Sequence, residues 1–432
     1  MVDFNGWDLL NTIIQGFEIL LLYPLEYPTF WVFLLIIALL YRRQLRMKSE
    51  LFQVKTENVW HSVFSSAMYG LVGGFIGSFL MILFGVTIVE SGFLYLLPVA
   101  IALALINTRY MCYAYAGGVI SLAAIFLGWT EVSVVQIMGL VAILHLVEAV
   151  LMFLSGHRDS LPVYVAHRRG MTVGGYHLQS FWPIPLVVLT MVAIPHNSGI
   201  PFQEISTPGW WPLISPPDIP YNPAVESVVL SPLPLVALLG YGDLALVRQP
   251  RVHCRRSSLM LAGYSLILLS LVVLASHIPM LSLLPALFGP LGHEALILWT
   301  KRREMQGTPL YVTSPRGLKI LDVGDGSPAE KAGLRAGDLL GSVNGLPVRS
   351  RRDLAVSLSW SPAQVEMEFL PGGTGGVWKR ATAIKGWNES LGLIPVPDPE
   401  DPPLIRFEGV GLFGNLWRNW SQRFFRRNRD KP

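Results

Sequence analysis

The chain has 432 residues, 52% of them hydrophobic and only 14% charged, with a mean hydropathy of +0.46. A soluble globule could not bury that much apolar surface, so the composition is that of a membrane protein. The formal net charge is +4, and the two cysteines, Cys112 and Cys254, lie far apart in or beside apolar segments, so no disulfide framework is implied.

The N-terminus carries Asp3, Asp8 and Glu18 but no Lys or Arg, the opposite of a signal-peptide start, and the first apolar segment is expected to stay on the mature protein. That segment, 9–23, is short and contains Glu18; it suits an interfacial helix or half of a hairpin closed by "PLEYP". Clear apolar runs follow at 27–41, 63–88, 93–107, 110–128, 133–154, 230–247, 258–277 and 279–299. Each approaches the roughly 17–25 residues that a helical span requires. The stretch 182–194, "WPIPLVVLTMVAI", is short and Pro-bearing, a span or a re-entrant piece. The expected fold class is therefore a polytopic α-helical membrane domain of about eight to ten spans, followed by a small α+β domain. Lys and Arg collect at 41–48, 156–170, 247–256 and 301–303, whereas 195–229 has neither. With 182–194 counted as a span, all the basic loops fall on one side, which the positive-inside rule makes cytoplasmic. Everything after Lys301 should then be cytoplasmic.

From about residue 308 the continuous apolar runs give way to short mixed ones. The stretch 317–354, "GLKILDVGDGSPAEKAGLRAGDLLGSVNGLPVRSRRDL", resembles the bacterial PDZ domain. Ser327 and Pro328 supply an N-cap and a first-turn proline, Gly333 suits the helix end, and Asn344-Gly345 is a hairpin turn signal. A PDZ domain acts by adding a partner peptide as a strand beside a helix. The helix is expected at 351–359, with Leu354 and Leu358 one turn apart. Bacterial PDZ domains are often circularly permuted, and "SLGLIPV" at 390–396 resembles their displaced loop and strand. Leu391, Gly392, Leu393 and Ile394 are thus expected to line the groove, an ordinary edge strand being the alternative. The domain boundaries read as 1–303, 308–397, and 398–432 for a Pro-rich linker and tail. In the tail, Phe413, Trp417, Trp420 and Phe424 recur at helical spacing among Arg418, Arg423, Arg426 and Arg427. That pattern suits an anionic membrane surface, a partner-binding helix or a disordered basic end.

The "LGHEALI" stretch raises the zinc motif of an intramembrane protease, which needs two His four residues apart with a Glu base. His293 and Glu294 are in order, but the position four beyond His293 is Ile297. No phosphate-cradling glycine loop, Cys-x-x-Cys pair or GxSxG occurs, so no catalytic residue, metal or cofactor is expected. Ionisable groups in a bilayer are costly and tend to face a partner. Asp243, His293 and Glu294 are therefore expected to form an intramembrane polar cluster, His145 and Glu148 joining it or making a second contact; each lying near an interface is the bland alternative.

Many spans followed by one cytoplasmic PDZ domain is a layout that resembles the MinJ family of cell-division topology proteins. "HRRGMTVGGYHLQSFWPIPL" (167–186), "LLGYGDLAL", "LGHEALI" and "LGLIPV" after the PDZ stretch are similar to that family. The resemblance implies an adaptor rather than an enzyme. It would link a DivIVA-type scaffold of poles and septa to the division inhibitors MinC and MinD, possible further partners being other divisome membrane proteins and the lipid bilayer, with no nucleic acid. It implies a multi-pass location in the cell membrane, enriched at the septum and poles. The alternatives are a metalloprotease-like protein with an atypical site, and a transporter, which inverted repeats would support.

Overall fold

The computed structural model describes residues 2–404 apart from 4–5, 55–57, 89, 168–169, 196–204, 207–208, 217–222, 360–362, 374–375 and 387–388. The aromatic and basic tail lies outside the described residues. In chain order, a two-residue strand β1 (Val2–Asp3) precedes α1 (Gly6–Leu22), α2 (Thr29–Phe52) and α3 (Val59–Phe84). The short β2 (Thr87–Ile88) and α4 (Glu90–Leu94) lead to α5 (Leu96–Ile106), α6 (Tyr113–Leu127) and α7 (Val134–Ser155). Next come β3 (Leu161–Ala166), β4 (Thr172–Pro195), the two-residue β5 (Ile205–Ser206) and β6 (Glu226–Ala245), and then α8 (Pro250–His277) and α9 (Leu283–Gln306).

Among the described residues, four helical stretches are long and apolar enough to cross a membrane: α3, α7, α8 and residues 279–306, which end in α9. Local chemistry marks their ends. The side chains of Asn58 and Ser133 accept from the Trp60 and Gln136 N–H groups at the starts of α3 and α7, and Cys112 does the same for Ala114 at the start of α6. Gly85 and Gly128 end α3 and α6 in the left-handed conformation. Helix α7 is buried along most of its length and forms the middle of the helical core.

The segment 182–194, expected as a span or a re-entrant piece, lies within strand β4, and most of 230–247, expected as a span, lies within strand β6. They pair antiparallel in one register from Tyr176 opposite Ala245 to Pro195 opposite Glu226. The prolines explain the outcome. Pro183, Pro185, Pro232 and Pro234 would each remove a helical hydrogen bond and clash with the preceding turn. In the hairpin they cost nothing, because of where their nitrogens face. The Val187 N–H donates to Ser78 Oγ of α3 at 2.9 Å, and the Phe181 carbonyl accepts from Ser66 Oγ of the same helix. Odd-numbered β4 residues near here therefore turn their backbone groups away from β6, and so do their even-numbered partners, Pro234 opposite Val187 and Pro232 opposite Leu189. All four prolines sit where no ladder bond is lost, and the two on β6 remove donors from its outer edge.

Helix α3 lies along the outer edge of β4. A Cβ added at Gly70 would come 2.2 Å from the Pro183 carbonyl oxygen, and one at Gly74 would come 2.1 Å from that of Pro185. Ser66, Gly70, Gly74 and Ser78 recur every four residues and form one small-residue stripe that lets helix and strand meet. Leu9, Ile13 and Phe17 of α1 pack with Ile82 of α3 and Leu189 of β4.

The C-terminal unit contains β7 (Leu318–Val323), α10 (Pro328–Lys331), β8 (Leu339–Val343), β9 (Leu346–Pro347), α11 (Arg351–Ser359), β10 (Gln364–Leu370), β11 (Lys379–Ile384) and β12 (Leu393–Pro395). Its sheet runs β11-β10-β8-β7-β12, with β9 beside β8. The expected signals act as read: Ser327 Oγ caps α10, Gly333 has φ +92°, and Asn344-Gly345 turns β8 into β9 with positive φ at both residues. Its own core includes Leu318, Ile320, Leu340, Val343, Val365 and Phe369.

This unit is seated on the rest of the chain. Strand β3 pairs with the start of β4, and that platform meets it directly. The Gly174 N–H donates to the Tyr311 carbonyl at 2.9 Å, Tyr164 Oη donates to the Pro395 carbonyl at 2.7 Å, and Tyr176 Oη donates to that of Leu321. Lys48 of α2 pairs with Asp322 at 3.6 Å, although burial raises the Asp322 carboxyl above its ordinary range. The Pro-rich stretch expected as a linker is pinned at its start: the Thr172 N–H donates to the Pro399 carbonyl and the Leu404 N–H to that of Tyr164, both at 3.1 Å.

The close fit of α3 to β4 makes a prediction. Gly70→Val and Gly74→Val should each cost about 1–3 kcal/mol through overpacking against backbone. Gly263→Ala on α8, which meets nothing within 4 Å, should be neutral or slightly stabilising. Thermal unfolding of the purified protein in detergent micelles compares them.

Candidate functional site

Four of the six residues expected to line a groove meet in one apolar cluster. Strand β12 pairs with β7 through Leu393 opposite Val323 and Ile394 opposite Asp322, and it ends the sheet order. An end strand of this kind is where a partner strand adds. Leu354 and Leu358 of α11 pack in the same apolar cluster as Leu391 and Leu393. Ile394 is also buried, but in the core shared with Tyr176, Tyr311 and Leu321 on the membrane-region side.

Helix α11 starts with a reciprocal cap. Ser350 Oγ accepts from the Asp353 N–H at 3.1 Å, while Asp353 Oδ2 accepts from the Arg349 and Ser350 N–H groups, each at 3.0 Å. The Arg349 N–H, followed by Ser350, holds the Asp353 carboxyl below its ordinary range. Just before β12, the Leu391 carbonyl accepts from the Ala329 N–H at 3.1 Å and the Gly392 carbonyl from the Gly324 N–H at 2.8 Å. Gly392 has φ +79°, and a Cβ there would strike Ser327 Cβ at 2.3 Å. The position admits only glycine on both counts. Past β12, Arg351 lies over the Tyr164 ring at 5.5 Å and pairs with Asp401 at 2.9 Å, so the chain there runs against the β3–β4 platform.

The polar residues expected in one membrane cluster separate into two. Glu294 accepts from Tyr115 Oη at 2.6 Å and pairs with Arg109 at 3.0 Å. Beside it, His293 Nε2 lies 3.7 Å from Cys112 Sγ, and His145 Nε2 lies 3.0 Å from the same sulfur. His145 thus does join His293. Asp243 does not. It bonds His253 Nε2 at 2.7 Å and the Leu244 N–H at 2.8 Å, and His253 Nδ1 lies 3.3 Å from Glu304. Glu304 in turn accepts from the Leu246 and Val247 N–H groups at 2.8 Å. Because β6 is a strand, Asp243 is delivered to the hairpin's end, next to the first turn of α8 and the last turn of α9. Along α9, Glu304 is eleven residues from His293, roughly 16 Å at helical rise. His253 and Glu304 escaped the sequence reading because they stand among the arginines of two basic loops. Cys112 escaped because no spacing rule links it to a histidine on another helix.

The geometry also bears on proteolysis. Ile297 stands where the second zinc histidine would be, and the Glu294 carboxylate is occupied by a guanidinium and a phenol. A general base needs a carboxylate free to take a proton from water.

Gly392→Ala should weaken binding of an extended peptide to the purified protein by roughly tenfold or more, about 1.4 kcal/mol. Ile384→Ala, on the exposed far strand, should leave binding unchanged. Asp353→Ala should lower the unfolding temperature. A carboxyl with a lowered folded pKa contributes stability above its unfolded pKa, lost as pH falls through the folded value. The gap between wild type and Asp353→Ala should therefore persist at neutral pH and close only in acid, as pH-dependent thermal melts would show.

The PDZ domain family model matches residues 319–369. In an alignment of 417 positions that covers 88% of this chain and 94% of the relative, the chain is also 23% identical to the cell division topological determinant MinJ of Bacillus subtilis strain 168.

Proposed function

We propose that this protein is a membrane-anchored adaptor in division-site selection and not an enzyme. In this reading, residues 1–303 form the membrane domain, with β4 and β6 crossing as a hairpin, 308–397 form the PDZ domain on the cytoplasmic side, and 398–432 form a linker and tail. Strand β4 has 24 residues at about 3.3 Å each, ample for a hydrocarbon core of about 30 Å. The groove lined by Leu354, Leu358, Leu391, Gly392, Leu393 and Ile394 captures an extended partner segment by strand addition. The observation that carries the proposal is a PDZ unit with its groove strand at a sheet edge, seated on the membrane region of a chain that resembles a division determinant over most of its length.

Seating supplies a mechanism. A groove fixed at the membrane meets partners already concentrated there, so modest intrinsic affinity suffices. The partners proposed are a DivIVA-type scaffold on one side and MinC and MinD on the other, with other divisome membrane proteins as further candidates and with septal and polar enrichment as the outcome. The metalloprotease-like alternative is disfavoured, because Arg109 and Tyr115 already engage the Glu294 carboxylate and Ile297 stands where a second zinc histidine would be.

A fluorescent fusion in dividing rod cells tests the proposal, comparing the intact chain with Gly392→Ala, with deletion of 308–432, and with Glu294→Gln. The expected result is septal and polar signal for the intact chain and misplaced septa for the first two changes. Uniform membrane signal, with a division defect only from Glu294→Gln, would overturn it.

A further inference from the structure

Cys112, His145 and His293 come from three separate helices, and their ligand atoms all lie within 4.8 Å of one another. We propose that they form a metal site for a d10 ion, zinc(II) or copper(I), that clasps α6, α7 and α9 together. This inference stands apart from the proposed function.

The side chains are prepared for that role. His145 Nδ1 donates to the Val141 carbonyl at 2.8 Å, which fixes the tautomer and leaves the Nε2 lone pair facing the sulfur. His293 Nδ1 is buried and has no partner among the described residues, while its Nε2 also faces the sulfur. Cys112 is the N-cap of α6, and its sulfur accepts from the Ala114 N–H at 3.4 Å, a contact that a metal-bound thiolate would keep. Aromatic rings hold the imidazoles: the Tyr115 ring meets His293 edge-on at 5.4 Å, and the Tyr264 ring lies 5.8 Å from each histidine.

The sequence builds this convergence through Gly117 and Gly118. A Cβ at Gly117 would stand 2.9 Å from Val141 of α7, and one at Gly118 would stand 2.6 Å from the Pro290 ring of α9. Both helices thus approach α6 closely at the depth of the cluster. One thiolate and two imidazoles form a soft-to-borderline donor set that suits zinc and copper(I) over magnesium or calcium. Copper(I) with one thiolate would be neutral with these three ligands alone, as an apolar setting favours. Zinc would retain one positive charge and a fourth position. The ion would not make the site hydrolytic, because Glu294 is committed to Arg109 and Tyr115.

The test uses the full chain in detergent micelles under reducing conditions, stripped with a chelator and then titrated with zinc(II), copper(I) or cobalt(II) as a spectroscopic probe. The expected result is one equivalent bound per chain and a thiolate-to-cobalt charge-transfer band. Affinity should fall roughly tenfold or more in Cys112→Ser and His145→Gln, with Cys254→Ser unchanged. A second measurement needs no variant: added zinc or copper(I) should slow alkylation of Cys112 in the wild-type protein. No binding above background, or equal binding and equal alkylation with and without metal, would overturn the proposal and leave a thiol hydrogen-bonded to imidazole.

Discussion

A strand placed among membrane helices must satisfy both its edges, because hydrocarbon offers no hydrogen bonds. Strand β4 meets this demand with β6 along one side and with α3, plus the short β2, along the other. The arrangement depends on two complementary sequence features. Prolines occupy only positions whose nitrogens face away from the hairpin ladder, and a stripe of Ser66, Gly70, Gly74 and Ser78 brings α3 against the exposed backbone of β4. Change either and the edge would open to lipid.

The rest of the molecule is arranged around that hairpin. At one end β4 continues into its pairing with β3, and this platform receives the PDZ unit through Tyr164, Tyr176 and Gly174. At the same end, Asp243 of β6 is tied to His253 of α8 and through it to Glu304 of α9, so the hairpin, α8 and α9 are joined where α9 leaves for the PDZ unit. The PDZ unit is therefore held in place relative to the helices, unlike a domain on a loose tether. That would serve the scaffold role proposed, whose value lies in positioning.

Much of this was legible in the sequence. The apolar runs at 63–88, 133–154 and 258–277 fall within or largely overlap the long helices α3, α7 and α8, because continuous hydrophobicity bounded by Asn58, Ser133 and Pro250 leaves little alternative. The PDZ turn residues Ser327, Gly333, Asn344 and Gly345 each carry a backbone requirement that sequence displays directly. The stretches 182–194, read as a span or a re-entrant piece, and 230–247, read as a span, form strands, because apolar length cannot tell a buried strand from a buried helix. The paired prolines at 183, 185, 232 and 234 were the signal that could. The polar cluster was misjudged for a related reason: Asp243 moved when its helix became a strand, and Cys112 belongs with His145 and His293 only through tertiary packing at Gly117 and Gly118.

The register of β4 on β6 is the claim on which the platform, the proline placement and the α3 contact all rest. Cysteine pairs introduced into the membrane-embedded protein test it directly. Gln179 stands opposite Gly242, a pair of the kind whose backbone groups face outward and whose side chains lie close. Mild oxidation should cross-link Cys at 179 with Cys at 242 readily, and Cys at 179 with Cys at 238 poorly. Equal cross-linking of both pairs, or of neither, would contradict the hairpin and return these segments to two separate spans.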